Sequence, residues 1–360
     1  MTASRSLRPV HLAGTTVLAV ALTLSACTKS EDSGADTGGQ STGGAQVAQQ
    51  DSSGPTCDLK QYGAEKLDLK DAVVGFSQSE KEANPFRIAE TQSIKDEAAK
   101  VGVKQLLTTN ANSQLNKQIS DIQDMINQGA QALIVAPLNS DGLEPALQAA
   151  RAKNIPVLTV DRKVNQEPCK DYVAFLGSNF VEQGKRAAQE MAKALNNKGK
   201  VAILLGSSGN NVTTDRTKGF VDEMKDIAPD VKVVSQQTGE FTREKGQQVM
   251  EQIIQAQPDI TGVYAENDEM ALGALVALKS AGKKPGTDVQ VVSVDGTRNA
   301  VQKIVDGEMA AVVESNPRFG PLAFETLGKF LNGEAVSQNV VITDKLYGKD
   351  NAPAEVSSAY

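Results

Sequence analysis

The sequence predicts a doubly wound α/β fold, in which parallel strands alternate with helices that cover both faces of a sheet. The first observation is a series of strand-like runs that are continuously aliphatic or β-branched, which is typical of strands buried on both faces. The second is that helical stretches separate these runs along the whole folded region. The predicted strands are Ala72–Ser77, Val103–Thr108, Ala132–Ala136, Pro156–Val160, Tyr172–Leu176, Val201–Leu205, Val231–Ser235, Gly262–Ala265, Val289–Val294 and Ala310–Val313.

Helix caps and breaks between the strands support the same fold. Asn84 is a suitable N-cap, Pro85 follows it at the first helical position, and Gly102 is a suitable stop. Aliphatic side chains at spacings of three and four give the next helix one apolar face, which ends at Gly129. The residues of that face are Leu115, Ile119, Ile122 and Ile126, and the N-caps of two later helices are Thr242 and Asn267.

The N-terminal segment has the features of an export signal that ends in a lipid-modified cysteine. Two arginines precede an apolar stretch, residues 12–24, that is too short to span a bilayer stably. The run LSAC at 24–27 resembles the lipobox of bacterial lipoproteins, in which the cysteine thiol is acylated and becomes the mature N-terminus. The alternative is an ordinary signal peptide with an unrelated cysteine. We expect residues 1–27 to be the signal and Cys27 to anchor an extracytoplasmic protein to the cell membrane.

Residues 28–56 are predicted to form a flexible tether. They are rich in Gly, Ser, Thr and Gln and almost free of bulky apolar side chains, so they cannot bury enough surface to offset their ordering entropy. A coil of this length spans on the order of 30 Å. The alternative is a short strand hidden in this segment.

The remaining cysteines and the charge balance narrow the chemistry. With Cys27 assigned to lipid, Cys57 and Cys169 form an even pair in an oxidising location, so we expect a disulfide between them. There is no CxxC motif, and the one histidine, His11, lies in the signal, so we expect no metal site and no cofactor. The net charge of −7, without a basic cluster, argues against a nucleic-acid partner.

Polar and aromatic side chains follow one predicted strand after another. Ligands of doubly wound sheets bind at the carboxyl ends of the strands, so these positions are candidate contacts. Aspartates accept hydroxyl hydrogens, arginines fork onto neighbouring oxygens, and phenyl rings cover the C–H face of a sugar. Taken singly, each of these residues could instead be a loop cap or a surface ion pair. Their recurrence favours a neutral, polyhydroxylated ligand.

Specific segments resemble the ribose- and galactofuranose-type periplasmic sugar-binding proteins, the solute receptors of ABC importers. The segments are GFSQ (75–78), NPFR (84–87), IPVLTVDR (155–162), DRTKGF (215–220), TGEFTREKGQQVME (238–251), VYAENDEMALGAL (263–275) and VSVDGT (292–297). The resemblance implies two similar doubly wound parallel-sheet lobes joined by a three-strand hinge, the type I periplasmic binding protein fold. The ligand contacts that it implies are Asn84, Phe86, Arg87, Asp161, Arg162, Arg216, Phe241, Asn267, Asp295 and Glu314.

Two departures from the ribose-type pattern bear on the ligand. Glu314 stands where ribose-type members have a glutamine, and Arg87 stands where they have a second aromatic ring. An additional cation suits a sugar with more oxygens than ribose, such as a hexose in furanose form. We therefore favour a galactofuranose-like sugar or another aldose.

The resemblance also implies the domain limits and the mechanism. The first lobe is expected to comprise 58–178 plus 316–338 and the second 179–315 plus 339–360, with crossovers near Ser178, Ser315 and Gln338. A monomer would capture a monosaccharide by hinge closure and present the closed form to the subunits of an ABC permease. Its one contact with the membrane would be the lipid anchor.

Three other functions share some of these sequence features. The loop Gly206–Gly209 could hold a phosphate in an enzyme, but it lacks both GxGxxG and a Walker lysine, and no nucleophile accompanies the carboxylates of Asp161 and Asp295. A transcription regulator with the same core would carry a helix-turn-helix where this chain has a signal and a tether. A sensor that presents its closed form to a receptor kinase has the same sequence features as an importer.

Overall fold

The computed structural model describes residues 48–50 and 54–360, and it confirms the predicted α/β fold with two mainly parallel sheets. The strands are β1 Ala48–Gln50, β2 Thr56–Cys57, β3 Val73–Gln78, β4 Gln105–Asn110, β5 Ala132–Val135, β6 Val157–Val160, β7 Ala174–Gly177, β8 Lys198–Leu205, β9 Asp230–Thr238, β10 Gly262–Ala265, β11 Gln290–Asp295, β12 Ala311–Glu314, β13 Val336–Ser337, β14 Asn339–Thr343 and β15 Leu346–Gly348. The helices are α1 Leu59–Tyr62, α2 Pro85–Val101, α3 Leu115–Asn127, α4 Glu144–Ala152, α5 Phe180–Ala194, α6 Asn211–Ile227, α7 Arg243–Ala256, α8 Asp268–Ser280, α9 Arg298–Val305, α10 Gly320–Leu331 and α11 Ala352–Glu355.

Each lobe is built on one sheet. The first has the strand order β1-β14-β7-β6-β5-β3-β4, and all of its pairings are parallel except that of β1. The second has the order β15-β12-β11-β10-β8-β9, with β15 antiparallel. Strands β5, β6, β7, β10 and β12 are buried at every residue, which explains their continuous apolar sequences.

The predicted strands and helix caps are confirmed. All ten predicted strands are present, and Gly262–Ala265 has the predicted bounds. The side chain of Asn84 accepts a hydrogen bond from the Phe86 amide at 2.9 Å. Thr242 and Asn267 cap α7 and α8 in the same way, so three helix N-termini are held at the carboxyl ends of the strands.

The predicted tether needs a correction, because Ala48–Gln50 forms β1 at the edge of the first sheet. This strand pairs antiparallel with β14, and Thr56 lies in β2. A sheet edge offers unpaired backbone groups, and an extended segment can pair with them whatever its side chains are. The signal at 1–27, with Cys27, lies outside the described residues. Within the described part of the chain, no helix has the length and apolarity needed to cross a bilayer.

The chain crosses between the sheets three times. It leaves the first sheet after β7 and returns to it after β12, so these crossings lie at Ser178 and Ser315. The third crossing is at Asp344, and the predicted position near Gln338 is wrong. The reason is that β14 pairs with β7 and extends the first sheet before the chain reaches β15.

The carboxylate of Asp344, at the third crossing, contacts the other two. One of its oxygens accepts hydrogen bonds from Ser178 Oγ at 3.1 Å and from the Asn316 amide at 3.4 Å. The other accepts from Gln183 Nε2 at 2.8 Å. Burial raises the pKa of Asp344 from its ordinary 3.8 to about 7, with repulsion from Glu314 as a smaller cause, while the hydrogen bonds oppose the rise. This one side chain therefore couples the three hinge segments to each other.

We expect Asp344→Asn to change the pH dependence of stability. Because the pKa is higher in the folded protein, the wild-type protein loses stability as pH rises from about 4 to about 7, at roughly 1 kcal/mol per pH unit from this group. Asparagine does not titrate, so the variant should lack this component. Urea unfolding across pH 4–8 measures the difference, with the exposed Asp222→Asn as control. Parallel pH profiles of wild type and Asp344→Asn would contradict the assignment.

The structure joins Cys57 to Cys169, the pairing expected from the sequence. Cys57 lies in β2, and Cys169 lies in the turn before β7. The two cysteines are 112 residues apart in sequence, and closing a loop of this length restricts the unfolded chain substantially. The bridge therefore ties the N-terminal arm to the first lobe.

We expect the mature chain without Cys27 to show no reactive thiol when it is denatured without a reductant. Removing the bridge by Cys57→Ser together with Cys169→Ser should cost about 2–4 kcal/mol of unfolding free energy. Thiol labelling and urea unfolding measure the two effects. Two reactive thiols in the denatured, unreduced protein would mean that the bridge does not form.

Candidate functional site

Nine of the ten predicted contact residues line a single cleft between the two sheets. The first lobe contributes Asn84, Phe86, Arg87, Asp161 and Arg162. The second contributes Arg216, Phe241, Asn267 and Asp295. Glu80 and Val212, which were not predicted, complete the lining.

The cleft residues sit where strands end or helices begin. Asp161 and Asp295 lie at the carboxyl ends of β6 and β11, and Phe241 lies between β9 and α7. All three have positive φ, at 64°, 139° and 58° respectively, a region that side-chain-bearing residues seldom adopt. Strained backbone of this kind persists where the surrounding structure enforces it and is often found at binding sites.

The first lobe supplies a network of buried ion pairs. The guanidinium of Arg87 lies 2.8 Å from the carboxylate of Asp161 and 3.1 Å from that of Glu80. Arg162 contacts the other oxygen of Glu80 at 2.8 Å. Its Nε lies 3.7 Å from Asp161 and has no hydrogen-bond partner among the described residues. The network therefore retains an unused buried donor.

Glu80 holds the two arginines together. Burial by itself would raise the pKa of Glu80, but Arg162 and Arg87 outweigh burial and lower that pKa to about 2. Glu90 supports Arg87 from α2 at 2.8 Å, and Gln78 donates to Glu90 at 2.9 Å. Burial raises the pKa of Glu90 to about 6. The side chains of both arginines are therefore held in position by neighbouring carboxylates.

In the second lobe, Arg216 is held by groups on three elements. Its Nε donates to Gln183 at 2.9 Å, and its Nη1 donates to the backbone carbonyl of Glu266. Nη2 lies 3.8 Å from the carboxylate of Asp295. Burial, together with repulsion from Asp268 and Asp161, raises the pKa of Asp295 although Arg216 opposes the rise. Arg216 is therefore the nearest cation that offsets the burial of this carboxyl group.

Two phenylalanines provide apolar surface beside these charges. The ring of Phe86 lies 4.9 Å from the guanidinium carbon of Arg87 and meets Tyr360 edge-on at 6.2 Å. The Phe241 ring lies 5.8 Å from the guanidinium carbon of Arg162. It packs across Gly206, where a Cβ atom would lie 1.9 Å from the ring. Glycine at 206 is therefore a condition for the position of this ring.

The two asparagines serve the fold and the cleft together. The side-chain oxygen of Asn84 caps α2, which leaves the side-chain NH₂ group of Asn84 available to the cleft. Asn267 caps α8 by accepting from Met270 at 3.0 Å, and it donates to the carbonyl of Phe241 at 3.1 Å. Asn267 therefore also positions Phe241.

Glu314 does not line the cleft, and the prediction that it contacts the ligand is therefore corrected. Its carboxylate accepts from the Lys345 amide at 3.0 Å and from the Tyr347 hydroxyl at 3.2 Å. Both oxygens are therefore used to tie the end of β12 to the third crossing. The glutamate therefore belongs to the hinge and is not among the residues that line the cleft.

Glu80 is the main residue that sequence analysis missed. It stands in the loop after β3, among Lys81 and Glu82, and nothing in the sequence distinguishes one of these charges from the others. The available signal was its position two residues beyond the strand end. Its partner Arg162 is 82 residues away, so the pairing depends on the three-dimensional path of the loop.

The free space left between these side chains is about 30 Å³, room for only a few water molecules. A ligand of monosaccharide size therefore requires the lobes to separate or the ion pairs to rearrange. No cluster of metal-ligating side chains was found within the described residues. The arrangement offers forked donors, carboxylate acceptors and flat rings, groups that suit the hydroxyl groups and C–H faces of a neutral hydroxylated molecule.

Known proteins with similar sequences are solute-binding proteins. The galactofuranose-binding protein YtfQ of Escherichia coli is 36% identical over 289 residues, which cover 79% of this chain and 90% of that protein. The ribose import binding protein RbsB of Bacillus subtilis is 37% identical over 280 residues, 77% of this chain and 87% of the relative. Both are binding proteins rather than enzymes.

A solved structure agrees with these relatives. A Mycobacterium smegmatis protein in complex with β-D-fucofuranose superposes with a TM-score of 0.76 at 37% identity, over 79% of this chain and 94% of that one. The sequence profile of the periplasmic binding protein domain matches residues 74–335, which span both lobes. The chain therefore belongs to the periplasmic binding protein family.

Proposed function

We propose that this protein captures a monosaccharide between its two lobes and delivers it to the permease of an ABC importer. The observation that carries the proposal is the convergence of Arg87, Asp161, Arg216 and Asp295, from both lobes, on one water-poor cleft. Each of these residues is at most 4% exposed, so a ligand hydroxyl that replaces a partner must restore its hydrogen bonds. Such a site selects among sugars because a sugar that does not restore these hydrogen bonds binds more weakly.

The site suits an aldose in furanose form, such as a galactofuranose-like hexose. Arg87 brings a cation to a position where ribose-type proteins have a ring, and Arg162 retains an unused Nε–H. These donors match a sugar with an oxygenated side chain. A relative named for galactofuranose and a similar structure in complex with β-D-fucofuranose support the same choice.

Hinge closure supplies the mechanism. A sugar that bound one lobe alone would leave the open–closed equilibrium unchanged, because a ligand shifts an equilibrium only through its differential affinity for the two states. A sugar that contacts Arg87 on one side and Arg216 or Asp295 on the other binds the closed state more tightly. Closure then presents a composite surface of both lobes to the permease subunits.

We further propose that Cys27 is lipidated and holds the receptor at the outer face of the cell membrane. Cys27→Ser should move the full-length protein from the membrane fraction to the soluble extracytoplasmic fraction, because the lipid anchor would be lost. Cell fractionation and detergent phase partitioning measure this, with Thr28→Ala as the neighbouring control. A wild-type protein that is already soluble would contradict lipidation.

A thermal-shift screen of pentoses and hexoses, followed by calorimetry, tests the binding function. We expect a sugar that populates furanose forms to bind, and Asp161→Ala or Arg216→Ala to weaken its binding at least about 30-fold, because each removes a charged group that we propose hydrogen-bonds to the sugar.

The matched control is Lys218→Ala, an exposed residue on the same helix as Arg216. It should bind the sugar as the wild-type protein does, and circular dichroism should show that all variants are folded. Normal affinity in both cleft variants would remove these residues from the site. An absence of binding across the whole panel would reject the function.

A further inference from the structure

A second cavity adjoins the cleft and is much larger than the free space inside it. It lies between the lobes, shares Glu80, Asn84 and Phe241 with the cleft, and has a volume of about 350 Å³ against about 30 Å³ for the cleft. We call it the outer chamber. Pockets of a few hundred Å³ are the size that holds a small organic ligand. The outer chamber is therefore large enough to hold a small organic group next to the sugar site.

Phe241 is the wall between the two spaces. Phe241 lines both cavities and is 7% exposed, and its backbone and that of Glu240 are both left-handed, with φ of 58° and 54°. Two consecutive side-chain-bearing residues in this conformation are energetically costly, and Thr242 and Asn267 hold them in place. A ligand that occupies the cleft can continue past the edge of this ring into the chamber.

The walls of the outer chamber specify neutral, hydroxylated chemistry. Both lobes contribute hydroxyl groups, from Ser113 on one side and Ser207 on the other, and the Phe241 ring and Ala83 add apolar surface. The charged residues are four carboxylates against two cations: Glu80, Glu240, Glu244, Glu269, Lys81 and Arg243. Arg243 is held by both oxygens of Glu269 at 2.9 Å. The acidic balance disfavours a phosphate or carboxylate substituent.

We infer that the protein takes a substituted furanose, such as a furanoside or a furanose-containing disaccharide, with the furanose ring in the cleft and the neutral substituent in the outer chamber. The inference rests on the proposed sugar-binding function and names its ligand class more closely. The chamber opens between the lobes, so closure of the cleft does not require the substituent to be buried completely.

Calorimetry with three probes tests the inference: D-galactose, neutral galactofuranosides substituted at the anomeric oxygen or on the exocyclic chain, and a phosphorylated analogue. We expect at least one neutral galactofuranoside to bind as tightly as the free sugar or more tightly, and the phosphorylated analogue to bind at least about tenfold more weakly. If the free sugar binds and every galactofuranoside is rejected, the chamber holds no substituent. If none of the probes or sugars binds, the receptor function itself fails, and the inference fails with it.

Filling the chamber provides the structural control. Ala83→Trp should weaken binding of the galactofuranoside about tenfold or more and leave the free sugar unchanged, whereas the adjacent exposed Glu82→Trp, which does not line the chamber, should change neither. Ser207→Trp fills the chamber from the opposite wall and repeats the test in case the first variant does not fold. Unchanged galactofuranoside binding in both chamber variants would overturn the inference.

Discussion

The structure depends on the burial of charges that are paired within each lobe and line the same cleft. Arg87, Arg162 and Arg216 are each at most 3% exposed, and a buried charge without a partner is far more costly than one that is paired and hydrogen-bonded. Glu80, Asp161 and Asp295 provide those partners. In the closed form these groups satisfy one another, and a sugar must offer hydroxyl groups that satisfy them equally well. Because each of these pairs lies within one lobe, contacts of a sugar with both sets of charges would favour closure and would also select the ligand.

The fold supplies this cluster through the topology of its two sheets. The carboxyl ends of the parallel strands in both sheets face one cleft, and short polar loops follow each strand there. The three crossings keep the lobes in register, and Asp344 links all three by hydrogen bonds from Ser178, Asn316 and Gln183. Tyr360 contacts the hinge as well, since its hydroxyl donates to the Ser315 carbonyl at 3.2 Å. The hinge is thus a hydrogen-bonded unit and more than three flexible strands.

Most of the fold and of the cleft could be predicted from the sequence because local signals were strong. Buried strands have continuous apolar runs, and Asn84, Thr242 and Asn267 are recognisable caps. The errors involve long-range partners. Glu314 has the right position at a strand end, yet the Tyr347 hydroxyl and the Lys345 amide use its carboxylate.

The same reason explains the other differences. The sequence of Asn339–Thr343 is compatible with a strand in either lobe, and its pairing with β7 shows that it extends the first sheet. Ala48–Gln50 pairs through its backbone, which leaves no pattern in the side chains. The role of Glu80 depends on a loop that brings it to Arg162, 82 residues further along the chain. Sequence patterns report burial and local conformation well, but they do not report which distant group a charge will meet.

The most direct test of the account is the distance between the lobes with and without sugar. Asp141 and Thr214 are exposed and lie on opposite lobes at one lip of the cleft, so spin labels at Asp141→Cys and Thr214→Cys report on opening. Pulsed electron–electron double resonance should show a longer, broader distribution of distances between the two labels without ligand, and a single shorter distance with a saturating sugar. The same narrow distribution in both conditions would contradict the claim that contacts shared between the lobes drive closure.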